Sequence, residues 1–84
     1  MMTKQIIVEI FSKPNCHLCD DLKQIIKKVH QDTEFIIKEI DITKDELLFE
    51  KYKYEIPVVH INGLIAFKYR VDENEFRKKL KARS

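Results

Sequence analysis

The sequence predicts an α/β fold with the element order βαβαββα and a four-stranded mixed sheet flanked by helices. Three observations support this prediction. Short apolar runs bounded by turn residues alternate with stretches in which apolar residues recur at helical spacing. Capping signals precede these helical stretches. Asn62-Gly63, the strongest short-range hairpin signal, separates the last two apolar runs. We expect one domain over residues 1–84.

The strands are predicted from the apolar runs at 6–12, 35–42, 58–61 and 64–69. A strand, a helix and a strand joined by short links imply a right-handed crossover, so the first two strands should be parallel. The hairpin makes the last two antiparallel. The buried face of the first helix is predicted from residues at helical offsets, namely Leu18, Leu22, Ile25, Ile26 and Val29.

Each helix has a predicted start. Asn15 is the expected N-cap of a helix that begins at Cys16. The second helix is expected to open at Thr43, since residues 43–46 match a capping box, and to stop before Ile56-Pro57. Asp72 is the expected N-cap of the last helix. In the second helix, Leu47 and Leu48, with Tyr52 as a further candidate, are predicted to face the core.

Composition argues against several classes of function. Sixteen basic and 14 acidic residues give a net charge of +2, which is too balanced to imply a nucleic-acid partner, and we expect none. No apolar run approaches the roughly 20 residues that span a bilayer, so we expect no membrane association. The first strand starts so close to Met1 that a secretory signal has no room, and we expect a cytoplasmic protein. We also expect a monomer.

The chemistry is predicted to lie in Cys16-His17-Leu18-Cys19, which contains both cysteines of the chain. The motif falls where a strand leads into a helix, and the free N–H groups and the dipole of a helix start stabilise a thiolate. Cysteines in such motifs can have a pKa of roughly 3.5–7.5 instead of about 8.5. Cys16, nearer the helix end, is the predicted nucleophile. Cys19 is placed to attack a mixed disulfide on Cys16.

Two other classes of function stay open at this point. A structural zinc site needs four ligands, and only His17, His30 and His60 could add to the cysteine pair, so we expect no metal site. An iron–sulfur cluster shared between two chains would use the same cysteines. A binding module with incidental thiols is the other alternative.

The sequence resembles the glutaredoxin-like branch of the thioredoxin fold over essentially its whole length. The residues that carry the resemblance are residues 11–16 with Cys19, residues 56–58, and residues 61–63. The resemblance implies a thiol–disulfide oxidoreductase in which Pro57 is cis and faces the cysteine pair. It also implies that the Ile56 backbone is free to pair with an extended substrate. Lys13 and His17, beside the cysteines, are further candidates for substrate contact or for tuning Cys16.

The chain departs from the family pattern in two places. Ile10 stands where thioredoxins carry a buried acid. Glutaredoxins usually hold glutathione with a Gly-Gly and a following acidic residue, and the matching stretch, 67–72, has no glycine. We therefore expect protein disulfides as substrates in preference to glutathione mixed disulfides. No cofactor is expected, and either glutathione or a reductase remains open as the electron donor.

Overall fold

Four strands and three α-helices follow the predicted order in the computed structural model, which describes residues 5–83. No helix in this range is long and apolar enough to span a bilayer. Residues 1–4 lie outside the described residues. They belong to the N-terminal segment in which we expect no secretory signal. The elements are β1 (Ile7–Ser12), α1 (His17–His30), β2 (Ile36–Asp41), a 3-10 turn (Ile42–Lys44), α2 (Glu46–Tyr52), β3 (Val58–Ile61), β4 (Leu64–Lys68) and α3 (Glu73–Arg83).

The sheet has the strand order β2-β1-β3-β4, so β1 lies inside it. β1 is parallel to β2 and antiparallel to β3, and β3 is antiparallel to β4. The predicted mixed sheet is confirmed. The hairpin between β3 and β4 is formed by Asn62 and Gly63, both with positive φ (51° and 83°), as a type I′ turn requires. The cysteine motif therefore follows an interior strand of the sheet and not an edge strand.

Alternation along β1 divides the buried residues between the two faces of the sheet. Val8 and Ile10 lie in the main core, which α1 and α3 cover; its buried members are Val8, Ile10, Leu22, Ile26, Val29, Phe35, Val59, Ile61, Val71, Phe76 and Leu80. Phe11 lies in a second group, here called the cysteine-side cluster, whose buried members are Phe11, Cys19, Ile42, Tyr52, Ile56 and Val58. The two cysteines of the motif thus pack in and against a hydrophobic cluster that is separate from the main core.

The buried stripe of α1 differs from the predicted one at its first position. Leu18 is 52% exposed, and the stripe begins instead with Cys19 and continues through Leu22, Ile26 and Val29. Hydrophobic periodicity selected Leu18 because it weighed apolar side chains alone. A cysteine packs as a small apolar residue, and Cys19 takes the inward position at the same helical spacing.

Two of the predicted helix starts are wrong. The N-cap of α1 is Cys16, not Asn15, and Asn15 has a left-handed backbone (φ 59°). The N-cap of α2 is Asp45, not Thr43, because Asp41 draws residues 42–44 into a 3-10 turn by accepting hydrogen bonds from the Thr43 N–H and hydroxyl.

This shift in the start of α2 changes which side chains face inward. Leu47 is 84% exposed, whereas Leu48 packs against the cysteine-side cluster and Tyr52 belongs to it. The predicted Asp72 cap agrees with the structure, since its Oδ2 accepts the Glu75 N–H at 3.0 Å.

Replacing the cap of α2 should measurably destabilise the protein. The Asp45 carboxylate accepts hydrogen bonds from the N–H groups of Leu47 (2.9 Å) and Leu48 (3.2 Å). We expect Asp45→Ala to lower the free energy of unfolding by about 1 kcal/mol, the usual cost of losing an N-cap. Thr43→Ala, at the position that the sequence favoured, should cost less than about 0.5 kcal/mol. Urea unfolding of both variants checks the assignment, and the reverse order would contradict it.

Candidate active site

Cys16 serves as the N-cap of α1. Its backbone is extended (φ −117°, ψ 107°), and its Sγ accepts a hydrogen bond from the Cys19 N–H at 3.2 Å. The Asp20 N–H donates to the Cys16 carbonyl at 3.0 Å, which begins the helical ladder. The sulfur therefore takes the place that a Ser or Asp oxygen takes in most helix caps. A negative charge on this sulfur would face the free N–H groups of the first turn.

The two cysteines differ in exposure. Cys16 is partly exposed, and Cys19 is fully buried in the cysteine-side cluster. They form a disulfide, with their Cα atoms 5.2 Å apart. The pair is therefore close enough to form a disulfide, and Cys16 is the more exposed of the two residues.

Ile56 and Pro57 lie beside the pair. The peptide bond between them is cis, and Pro57 is buried. Ile56 is 9% exposed and, with Val58, belongs to the cluster that contains Cys19 and contacts Cys16. Among residues 5–83, nothing pairs with the Ile56 backbone N–H or C=O, whereas the Pro57 carbonyl accepts the Tyr69 N–H at 2.7 Å. One residue of free backbone edge thus adjoins the cysteines.

Lys13 and His17, the other predicted site residues, are both exposed. Within the described part of the chain, neither side chain makes an ion pair or hydrogen bond. Lys13 lines a cleft of about 250 Å³ at the carboxyl ends of β1 and β2, where Lys23 and Glu39 form an ion pair of 3.0 Å. In residues 5–83 both side chains are therefore exposed, and neither is hydrogen-bonded to a cysteine.

A group of three rings lies in and against the cysteine-side cluster and was not predicted. Phe11 packs on Tyr52 (centroids 5.1 Å apart) and on His60 (4.7 Å), and the Tyr52 hydroxyl is 3.3 Å from His60 Nε2. Partial burial lowers the pKa of His60 below its ordinary value, Lys51 lowers it further, and Glu9 opposes them. Alternation along β1 could have placed Phe11, but nothing in the sequence pairs residue 52 with residue 60.

Tyr69, which follows β4, has a left-handed backbone with φ 72°. This conformation costs an L-residue roughly 1–2 kcal/mol relative to the right-handed one, and glycine adopts it without that cost. The sequence offered no sign of it, because turn statistics place glycine or asparagine at such positions and not tyrosine.

No group of three or more His, Cys, Asp or Glu side chains is arranged to hold a metal ion in the described range. Among residues 5–83, the cysteine pair has no third such side chain beside it.

A family model described as the glutaredoxin-like domain (DUF836) matches residues 7–81. The chain belongs to this family. A glutaredoxin-like protein from Dictyostelium discoideum, described as a YDR286C homolog, is 40% identical over 78 residues, which are 86% of this chain and 72% of that protein. The resemblance predicted from the sequence is confirmed.

Solved structures show the same fold at low sequence identity. Protein Ne2328 from Nitrosomonas europaea superposes with a TM-score of 0.78 at 17% identity, covering 94% of this chain and 95% of that one. A mutant thioredoxin from Halobacterium salinarum superposes with a TM-score of 0.71 at 15% identity, covering 94% and 74%. The glutaredoxin-like chain therefore has the thioredoxin fold.

The lowered pKa of His60 should make stability depend on pH in a defined window. The folded state favours the neutral ring, whereas unfolded His60 has an ordinary pKa of about 6.5. This contribution is therefore complete above about pH 6.5 and is lost as the pH falls through the folded pKa. We expect the urea midpoint to fall between pH 7.5 and pH 5.5, and His60→Gln to reduce that fall.

His17→Gln is the matched control, because His17 is exposed, and it should leave the fall unchanged. Asp and Glu residues whose pKa is lowered titrate below about pH 4.5, outside this window. Equal behaviour of the two variants would show that His60 is not the group responsible.

Proposed function

We propose that this glutaredoxin-like protein is a thiol–disulfide oxidoreductase that uses Cys16 and Cys19 as a redox pair. The observation that carries the proposal is the division between the two sulfurs. Cys16 is partly exposed and its Sγ accepts an N–H of the first helical turn, whereas Cys19 is fully buried three residues later. This division supports separate roles in attack and resolution.

In the first step, the Cys16 thiolate attacks one sulfur of a substrate disulfide. A bond forms between that sulfur and Cys16 Sγ, the substrate S–S bond breaks, and the second substrate sulfur leaves as a thiolate that takes up a proton. The Cys19 N–H and the dipole of α1 favour the thiolate over the thiol at Cys16.

In the second step, Cys19 loses its proton and attacks Cys16 Sγ. The Cys16–Cys19 bond forms, the mixed disulfide breaks, and the first substrate sulfur leaves as a thiol. The substrate has gained two electrons and the protein has lost two. A thiol donor, either glutathione or the dithiol of a reductase, must return them before the next cycle.

The free backbone of Ile56 supports a polypeptide substrate. An extended chain could pair with the Ile56 N–H and C=O in a short form of strand addition, which would hold its disulfide near Cys16. Pro57, which follows this edge, is buried, and Lys13 and His17 are exposed side chains that can contact the same substrate. A chain whose only cysteines form one such motif suits a reducing compartment such as the cytoplasm.

An equilibrium titration against glutathione redox buffers tests whether the pair works as a dithiol. We expect a single two-electron transition between the dithiol and the intramolecular disulfide. Mass spectrometry of acid-quenched samples identifies the species present at each ratio of reduced to oxidised glutathione. A pair that stays reduced at every ratio would contradict the proposal. A second experiment tests whether the same cysteines hold an iron–sulfur cluster. The protein is purified without oxygen, and its metal content and visible absorption are measured at once.

Single cysteine substitutions test the two roles. Cys19→Ser should accumulate a mixed disulfide on Cys16, because resolution needs the buried sulfur. Cys16→Ser should abolish exchange, with a loss of at least about 10³-fold, since no nucleophile remains at the helix start. Rates and adducts are measured by stopped-flow fluorescence and mass spectrometry. A Cys16→Ser protein that retained exchange would falsify the assignment.

A further inference from the structure

The residues at the end of β4 are bonded to the segment that contains Pro57. The Tyr69 N–H donates to the Pro57 carbonyl at 2.7 Å, and Lys68 Nζ lies 2.6 Å from Glu55 Oε1. These contacts extend the β3–β4 pairing by one residue beyond Val58 and Lys68. The backbone of Tyr69 is therefore held next to Pro57, the residue that follows Ile56.

The position of Tyr69 relative to the cysteines follows from the residues on either side of Pro57. Ile56 and Val58 share the cysteine-side cluster with Cys19, and Cys16 packs against that cluster. The backbone of Tyr69 is bonded to the residue between them. A substrate that approaches Cys16 along the Ile56 edge thus meets the end of β4.

The side chain of Tyr69 is half exposed (49%). In the described range its ring makes no ring contact or hydrogen bond. Its backbone is nevertheless left-handed, the conformation for which glycine is the least strained residue. The Arg70 N–H donates to the Lys68 carbonyl at 2.8 Å and so closes a tight turn around Tyr69. Strained backbone positions of this kind cluster at ligand clamps and active sites.

A tyrosine at this position has two chemical consequences. Its ring keeps another backbone from approaching as closely as it could approach glycine. It also offers an amphipathic surface, with an apolar face and a polar tip, which suits the side chains of a polypeptide. A tripeptide disulfide has few atoms beyond its own backbone to use such a surface, whereas a protein segment has many.

We propose that Tyr69 is the residue that determines substrate class at this site: it contacts polypeptide disulfides and disfavours glutathione mixed disulfides. The proposal rests on the redox function of Cys16 and Cys19 and specifies its substrate. Tyr69 acts by contact with the substrate and takes no part in bond making or breaking.

The test compares two substrates in single-turnover reactions of the pre-reduced protein. The substrates are insulin, as a protein disulfide, and a short peptide carrying one glutathione mixed disulfide. We expect Tyr69→Gly to raise the second-order rate with the glutathionylated peptide at least fivefold and to lower the rate with insulin at least threefold. Tyr69→Phe should leave both rates within twofold of the unaltered protein.

Tyr54→Ala is the matched control, because Tyr54 is also an exposed tyrosine (83%) but does not lie on the bonded end of β4. It should leave the ratio of the two rates within twofold. A Tyr69→Gly protein whose ratio stays within twofold of the unaltered protein would overturn the proposal. Circular dichroism and urea unfolding verify that each variant is folded.

A second measurement separates this proposal from the proposed redox function. In a Cys19→Ser background, oxidised glutathione can form a mixed disulfide with Cys16 alone, so no turnover is needed. Adding Tyr69→Gly should raise the equilibrium fraction of glutathionylated Cys16 at least fivefold at low oxidised glutathione, measured by mass spectrometry. An unchanged fraction would overturn the role of Tyr69, whether or not the protein turns over any disulfide.

Discussion

The hydrogen bond from the Cys19 N–H to Cys16 Sγ is the interaction on which the site depends. This bond marks the end of the loop after β1 and the start of α1. It also places the Cys16 sulfur next to the free N–H groups of the first helical turn. The elements around this bond fix the positions of the two residues that form it. β1 is paired with both β2 and β3 and leads into the loop from inside the sheet, and Cys19 is buried in the cysteine-side cluster.

Most of the fold could be predicted from the sequence because it depends on local patterns. Strand runs, the Asn62-Gly63 turn and the Asp72 cap each involve residues close in the chain. The errors arose where two local signals competed. Thr43 and Asp45 both precede an apolar stretch, and only the hydrogen bonds of Asp41 decide that the first turn is a 3-10 turn. Leu18 and Cys19 competed in the same way for the inward position on α1.

The site was predictable only in its sequence motif. Cys16, Cys19 and the Ile56-Pro57 segment were identified from residue types and from family resemblance. In the structure Ile56 shares the cysteine-side cluster with Cys19, and Cys16 packs against that cluster. The contacts of Phe11 with Tyr52 and His60 were missed because they join residues that are far apart in the chain. The left-handed backbone of Tyr69 was missed for a different reason. It contradicts the residue preference on which turn prediction rests, so it is seen only in the structure.

The separation of the main core from the cysteine-side cluster has a consequence for the evolution of the protein. The cluster with eleven buried members packs α1 and α3 on one face of the sheet, and it provides most of the apolar burial that keeps a chain of 84 residues folded. Residues on the rim of the smaller cluster can therefore change with little effect on folding. Substitution of a few exposed side chains around the cysteine-side cluster can change the class of partner that a small protein of this kind binds, while the residues of the main core stay the same.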